Sequence, residues 1–312
     1  MCGLFGFYNY GNNSPSLSKL TNLLAFEASV RGTDATGISY NKDNKLIIHK
    51  EPLAAEKIVF NVPNNTVCVM GHTRHSTQGD KKKNYNNHPF KGNCQKGSFA
   101  LAHNGILVNE LEIQTKFHLP KTKIETDSYL AVQLLQKKNK LDIENVKHMA
   151  ENVDGSFAFS ILDDKNILWL VKGDNPLSVI HFMEKKIYVY ASTDAILYKA
   201  LAESDLLTEL KLGRFEEITI DHGEILKLQP DGLVLRDKFN YADLSYLNDL
   251  RWWNYGFGLS SKPKSKKNNK NDEYLKEIKS VAGYYGYSEK DIDQLVADGF
   301  TYEDIEELLY YY

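Results

Sequence analysis

The chain has only three cysteines in 312 residues. Cys2, Cys68 and Cys94 are odd in number, far apart and free of any C-x-x-C pair. This argues against a disulfide framework or a zinc site and fits a reducing compartment. Long apolar runs are missing too. No stretch approaches the ~18 consecutive apolar residues of a membrane-spanning helix. The N-terminus also lacks a basic segment followed by an apolar one, so neither a membrane span nor a signal peptide is expected and the chain reads as cytoplasmic. An excess of charge of one sign is absent: 38 Lys and Arg stand against 41 Asp and Glu, for a net charge of -3. That balance gives no electrostatic case for nucleic acid or an anionic membrane as partner. No cofactor and no metal is expected. The remainder, 42% hydrophobic and 25% charged, is globular in composition. At ~100–200 residues per domain, the length allows one large core and a small appendage.

The chemistry concentrates at the second residue. A methionine ahead of so small a side chain is ordinarily trimmed, which would leave Cys2 as the first residue. An α-amino group titrates near ~7.7–8.0 and a thiol near ~8.5, so one residue would then carry a nucleophile and its own base. At neutral pH the free amine takes the thiol proton, directly or through a water, as the sulfur attacks a carbonyl. Leu4, Phe5, Phe7 and Tyr8 read as a buried strand, with Gly3 and Gly6 allowing close approach, so the thiol sits on a rigid element. The plain alternative is a small buried hydrophobe.

Apolar spacing predicts a helix over residues 17–30, with Ser14 or Ser16 as cap. Arg31-Gly32-Thr33-Asp34-Ala35-Thr36-Gly37 reads as a turn projecting charge into a cleft or as an ordinary loop with a surface ion pair. Strands follow at 38–40, 45–50 and 67–70. The run 71–79 has many bonding side chains and nothing to pack, so it reads as binding surface. A strand at 98–102 leads into Asn104-Gly105. Its side-chain amide and following N–H suit an oxyanion, while Asn-Gly is also a common hairpin turn. Thr126 or Asp127 is placed to cap a helix. Further strands are expected at 155–162, 167–172, 177–182, 186–192 and 233–236, with helices at 141–150 and 195–203. Residues 216–220 and 225–228 form a closing hairpin in this reading. Such a mixture suggests two sheets covered by helices.

These residues carry a resemblance over positions 2–238. Cys2-Gly3-Leu4-Phe5-Gly6, Arg31 to Gly37, Gly71-His72-Thr73-Arg74, Asn87-His88-Pro89-Phe90, His103-Asn104-Gly105-Ile106, Glu125-Thr126-Asp127-Ser128 and Ala191-Ser192-Thr193-Asp194 stand in the order of the class II, N-terminal-nucleophile glutamine amidotransferases. The chain is most like the glutaminase domain of glucosamine-fructose-6-phosphate aminotransferase. The resemblance implies an α+β fold, the four-layer α/β/β/α sandwich, and hydrolysis of L-glutamine through a Cys2 thioester. Asn104 and Gly105 would hold the oxyanion, Arg74 the substrate α-carboxylate with Thr77 near it, and Asp127 the α-ammonium. Arg31 would support the nucleophile, and His75 would line the cleft. Two positions depart: the synthase-type family usually has tryptophan at His75 and histidine at Gln78. No synthase domain is seen after the glutaminase, since only about seventy residues remain where such a module needs well over ~100. The ammonia acceptor is therefore expected on a separate protein subunit, with homo-oligomerisation left open.

Residues 239–271 read as an aromatic segment that packs back on the parent domain, followed by a Lys/Asn-rich linker. Residues 272–312 read as a small three-helix interaction module with Ser288 and Thr301 as caps. Its Asp298-Gly299-Phe300 turn resembles that of ubiquitin-associated-type modules. Two rival readings of the whole remain: an amidase of the same fold acting on another amide, and a non-catalytic scaffold.

Overall fold

Seven consecutive buried residues open the chain. They form β1 (Gly3–Asn9) in the computed structural model, which describes residues 2–11, 15–95, 97–241, 275, 279 and 288–297. Side chains alternate across a strand, and here both faces are covered. Phe5 and Phe7 pack on Leu20 and Leu24 of α1 (Leu17–Ala28), while Leu4 and Tyr8 meet Ala100, Ala102 and Leu170 on the other side.

The second side is another sheet. The first sheet contains β1, β2 (Ala35–Lys42), β3 (Lys45–Glu51), β4 (Cys68–Arg74), β9 (Ser178–Phe182), β10 (Ile187–Ala191) and β11 (Glu216–Glu217), in the order β11-β9-β10-β1-β4-β2-β3. The second contains β5 (Phe90–Cys94), β6 (Gly97–Leu107), β7 (Gly155–Asp163), β8 (Leu168–Lys172), β12 (Glu224–Leu228) and β13 (Val234–Lys238), in the order β13-β12-β8-β7-β6-β5. All pairings are antiparallel. α1 and α5 (Asp194–Ala202) cover the outer face of the first sheet. α3 (Tyr129–Lys138) and α4 (Ile143–Asn152) cover that of the second. The result is the four-layer α/β/β/α sandwich, with one apolar layer between the sheets and one under each set of helices.

Local signals and tertiary partners disagree in several places. The first helix stops at Ala28 and tightens into a 3-10 turn, Ser29–Arg31. Ser16 occupies its cap position without a side-chain bond, and Ser14 lies outside the described residues. The expected hairpin of 216–220 with 225–228 does not form. Instead β11 pairs with β9 in one sheet, and the Ile218 N–H goes on to donate to the Val179 carbonyl at 2.8 Å. The Gly223 N–H then donates to the Lys172 carbonyl at 2.8 Å, and β12 joins β8 in the other sheet. The chain thus crosses from sheet to sheet where turn residues suggested a reversal. β5 and two short helices, α2 (Glu110–Lys116) and α6 (Leu207–Lys211), were not foreseen. β5 carries Gly92 and Asn93, and the helices are too short to show a period.

The chain divides into two compact units, Met1–Asn248 and Asp249–Tyr312. In the first, Phe239 and Tyr241 pack on the Phe157 ring at centroid distances of 6.0 and 5.5 Å. In the second, the described helix is α7 (Glu289–Ala297). Ser288 and Asp291 cap it reciprocally: the Asp291 N–H donates to Ser288 Oγ at 3.3 Å and the Ser288 N–H to Asp291 Oδ2 at 2.6 Å. Thr301, the 298–300 turn, the 260–271 linker and the remaining aromatics of the 239–257 segment lie outside the described residues. Among the described residues no helix is long and apolar enough to cross a membrane.

Candidate active site

The register that sets Gly3 opposite Thr73 brings Cys2 to the end of β4. There the His75 N–H approaches the Cys2 sulfur at 3.4 Å, and the sulfur lies 3.5 Å from the His75 carbonyl oxygen. Arg31 Nε donates to the Cys2 carbonyl at 2.7 Å, so this arginine reaches the nucleophile's backbone. A Cβ on Gly32 would stand 2.3 Å from the Arg74 carbonyl carbon, so only glycine lets the 31–34 turn close against β4. Asp34 accepts from the Ser76 N–H at 2.8 Å and from Lys81, which straps the 75–81 loop beside Cys2. Burial pushes the Cys2 thiol up; the His75 N–H and the positive charge of Arg74 pull the other way, and Asp127 adds to the rise. The thiol therefore needs a base to become a nucleophile at neutral pH.

The run 71–79 splits in two. Gly71 to Arg74 is not surface but the buried end of β4; exposure begins at His75, and Thr77 is exposed on the following loop. Arg74 is only 3% exposed. Its Nη1 donates to Asn87 Oδ1 at 2.6 Å, and its Nη2 donates to the carbonyls of Gln78 and Gly79. All of these acceptors are uncharged. Among the described residues no carboxylate pairs with this guanidinium, although Cys2, Asp34, Asp127 and Asp80 act on it at longer range.

From the second sheet, β6 runs straight through Asn104-Gly105 to Leu107, which rules out a hairpin turn there. Gly105 has φ +142, and a Cβ on it would lie 1.9 Å from the Ser156 carbonyl oxygen. Asn104 is 1% exposed; its carbonyl accepts from Asn175 Nδ2 at 2.9 Å, and its own Nδ2 is buried without a partner. A buried unmade donor costs ~1–3 kcal/mol and calls for an explanation. His72 Nε2 bonds the His103 carbonyl at 2.9 Å, which pins the residue before Asn104 to the strand that ends in Arg74.

Asp127 does not cap α3, and neither does Thr126; the cap position is Ser128, without a side-chain bond. Asp127 Oδ2 instead accepts from the Leu107 N–H at 2.6 Å, and the Asp127 N–H donates to Gln78 Oε1 at 3.2 Å. Gln78 thus touches Arg74 through its carbonyl and Asp127 through its side chain. Sequence reasoning gave no role to Asn87, His88, His103, Lys50 or Asn175 and held His72 only as part of the 71–79 binding surface. The motifs held Asn87 and the histidines in plain view, but nothing local distinguished Lys50 or Asn175. Among the described residues no group of three or more His, Cys, Asp or Glu is placed to hold a metal.

Residues 72–199 match the glutamine amidotransferase domain family. Glutamine–fructose-6-phosphate aminotransferase of Aquifex aeolicus is 28% identical over 239 residues, 74% of this chain and 37% of that protein. The Staphylococcus epidermidis enzyme of the same name is 32% identical over 189 residues, 57% of this chain and 30% of that one. Residues 72–199 are a glutamine amidotransferase domain, and over about three quarters of its length the chain is similar to class II glutamine amidotransferases. Their N-terminal-nucleophile fold is shared by the glutamine phosphoribosylpyrophosphate amidotransferase of B. subtilis, at a TM-score of 0.61 and 22% identity over 77% of this chain and 50% of that one. This amidotransferase spans less than half the length of the curated relatives it matches.

Proposed function

We propose that this amidotransferase hydrolyses L-glutamine to glutamate and ammonia at Cys2, and that an acceptor bound on a separate subunit takes the ammonia. With Met1 removed, the α-amine of Cys2 takes the thiol proton as the sulfur bonds to the γ-carbonyl carbon. The Asn104 amide and the Gly105 N–H hold the resulting oxyanion. Collapse breaks the C–N bond, and the proton held by the amine leaves with ammonia. Water then cleaves the thioester, releasing glutamate and restoring the thiol. Arg74 takes the α-carboxylate, Thr77 lies near it, Asp127 takes the α-ammonium, Arg31 steadies the Cys2 backbone, and His75 lines the entrance. The observation that carries this reading is Arg74, a buried cation beside Cys2 whose contacts are all neutral, since a buried charge is stable when an anion meets it. The three unpaired cysteines fit the reducing, cytoplasmic setting proposed for the reaction.

Intact-mass measurement after expression should show loss of Met1 and one adduct with a glutamine-like diazo ketone. Glutamine should turn over and N-acetylglutamine should not. Turnover of both would favour an amidase for another amide. Retained Met1 with no adduct would favour a scaffold. Arg74→Lys keeps the charge but loses the planar fork, and it should raise KM for glutamine about 100-fold with a smaller change in kcat.

A further inference from the structure

Arg74 is aimed by Asn87, and Asn87 is held by a second cation. In β3, Lys50 stands opposite Gly37 of β2. A Cβ on Gly37 would lie 2.3 Å from the His88 carbonyl oxygen and 2.6 Å from Lys50 Cβ, so the 87–89 backbone rests on this pair of positions. Lys50 Nζ donates to the carbonyls of Asn87 and Pro89, the latter at 3.0 Å, and sits 5.1 Å from the Phe90 ring centroid. Asn87 Nδ2 donates to the Lys81 carbonyl at 3.0 Å and to Asn84 Oδ1 at 3.2 Å, which turns Oδ1 toward Arg74. The two cations thus grip one asparagine, Lys50 at its backbone carbonyl and Arg74 at its side-chain oxygen, and no carboxylate among the described residues pairs with either.

We propose that Lys50 is a positioning residue for substrate binding: it fixes Asn87, which aims the Arg74 guanidinium, and it adds its own charge to the pull on the substrate carboxylate. Two like charges sharing a neutral residue are unfavourable until an anion arrives, so the arrangement stores binding energy for a carboxylate. Burial, and after it Arg74, holds the Lys50 ammonium down to about 8. The neighbouring His72 and His88 are pushed down by burial and stay neutral, which leaves Lys50 and Arg74 as the positive charges around Asn87, with Asp34, Asp80 and Asp127 acting on Arg74 at longer range.

The inference rests on the glutaminase reading, and the test separates the two. Lys50→Met should raise KM for glutamine about tenfold, with kcat within about threefold of the parent and an unchanged rate of inactivation by iodoacetamide, which has no carboxylate. Lys50→Arg should restore most of the KM. In the Arg74→Lys background the Lys50→Met change should add little, because both act on one contact. An unchanged KM overturns the proposal. So does a parallel fall in kcat and in the iodoacetamide rate, with thermal melting showing whether the variant is folded. Full additivity with Arg74→Lys overturns it as well. A parent chain that hydrolyses no glutamine removes the functional reading, and this inference with it.

Discussion

The buried Nδ2 of Asn104 and the positive φ of Gly105 are adjacent departures from what folding alone favours, and they separate function from stability. Asn104→Ala removes a donor that makes no bond in the folded chain, so stability should hold or rise slightly. If the amide meets an oxyanion, kcat should fall about 10²–10³-fold with little change in KM. Gly105→Ala should act the other way round. Its Cβ meets the Ser156 carbonyl and its φ is unfavourable for other residues, a strain of at least ~2 kcal/mol. The melting temperature should drop by about 4–8 °C before any question of activity arises. Calorimetry and steady-state kinetics on the pair would check both. Equal losses of stability would contradict the assignment of Asn104.

Three buried histidines join elements of the two sheets: His72 on β4, His88 ahead of β5 and His103 on β6. The His72 and His88 rings meet at a tilt of 36° with centroids 4.1 Å apart, and His103 Nδ1 meets Ser128 Oγ at 2.8 Å. Burial is the leading cause that holds all three below the ordinary imidazole value, His72 at about 3. A base whose folded pKa is depressed takes up protons on unfolding, so stability is lost as pH falls through the unfolded value near ~6.5. Each histidine should contribute about 1.4 kcal/mol per pH unit to that fall. Urea midpoints between pH 7 and 5 should decline steeply, and His88→Phe should flatten the curve by about one proton's worth. A flat parent curve would mean that these rings gain no protection from burial.

This cluster also shows where the sequence stopped being legible. β1, α1 and the motif order could be read because their signals are local: apolar alternation, helical spacing, a thiol at position 2. The polar run 71–79 read as surface because polar side chains usually seek water, yet its first half is buried in a central strand, where His72 bonds the carbonyl of His103, 31 positions on, and Thr73 that of Ala28, 45 positions back. Asp127 looked like a cap because it stands just ahead of α3, while its partner Leu107 lies at the end of β6, 20 positions back. The mistaken hairpin at 216–228 reflects a choice between sheets that only the assembled sandwich makes.

At the scale of the whole molecule, the residues that meet around Cys2 run from Cys2 to Asn175, all inside the unit Met1–Asn248. α7 and its Ser288 cap belong to the other unit, and no step proposed here draws on it. On the proposed reading, glutamine hydrolysis should therefore be separable from delivery of its ammonia. A chain ending at Asn248 should fold with the same melting temperature and hydrolyse glutamine with kcat/KM within about twofold of the full chain. Without an acceptor subunit, both proteins should release ammonia to solution in equal amount to glutamate. A shortened chain that melts alike but loses turnover would mean that residues 249–312 complete the glutamine site. Ammonia falling short of glutamate would mean that the acceptor is bound on this chain itself, because hydrolysis frees one molecule of each and only a local acceptor could consume the difference.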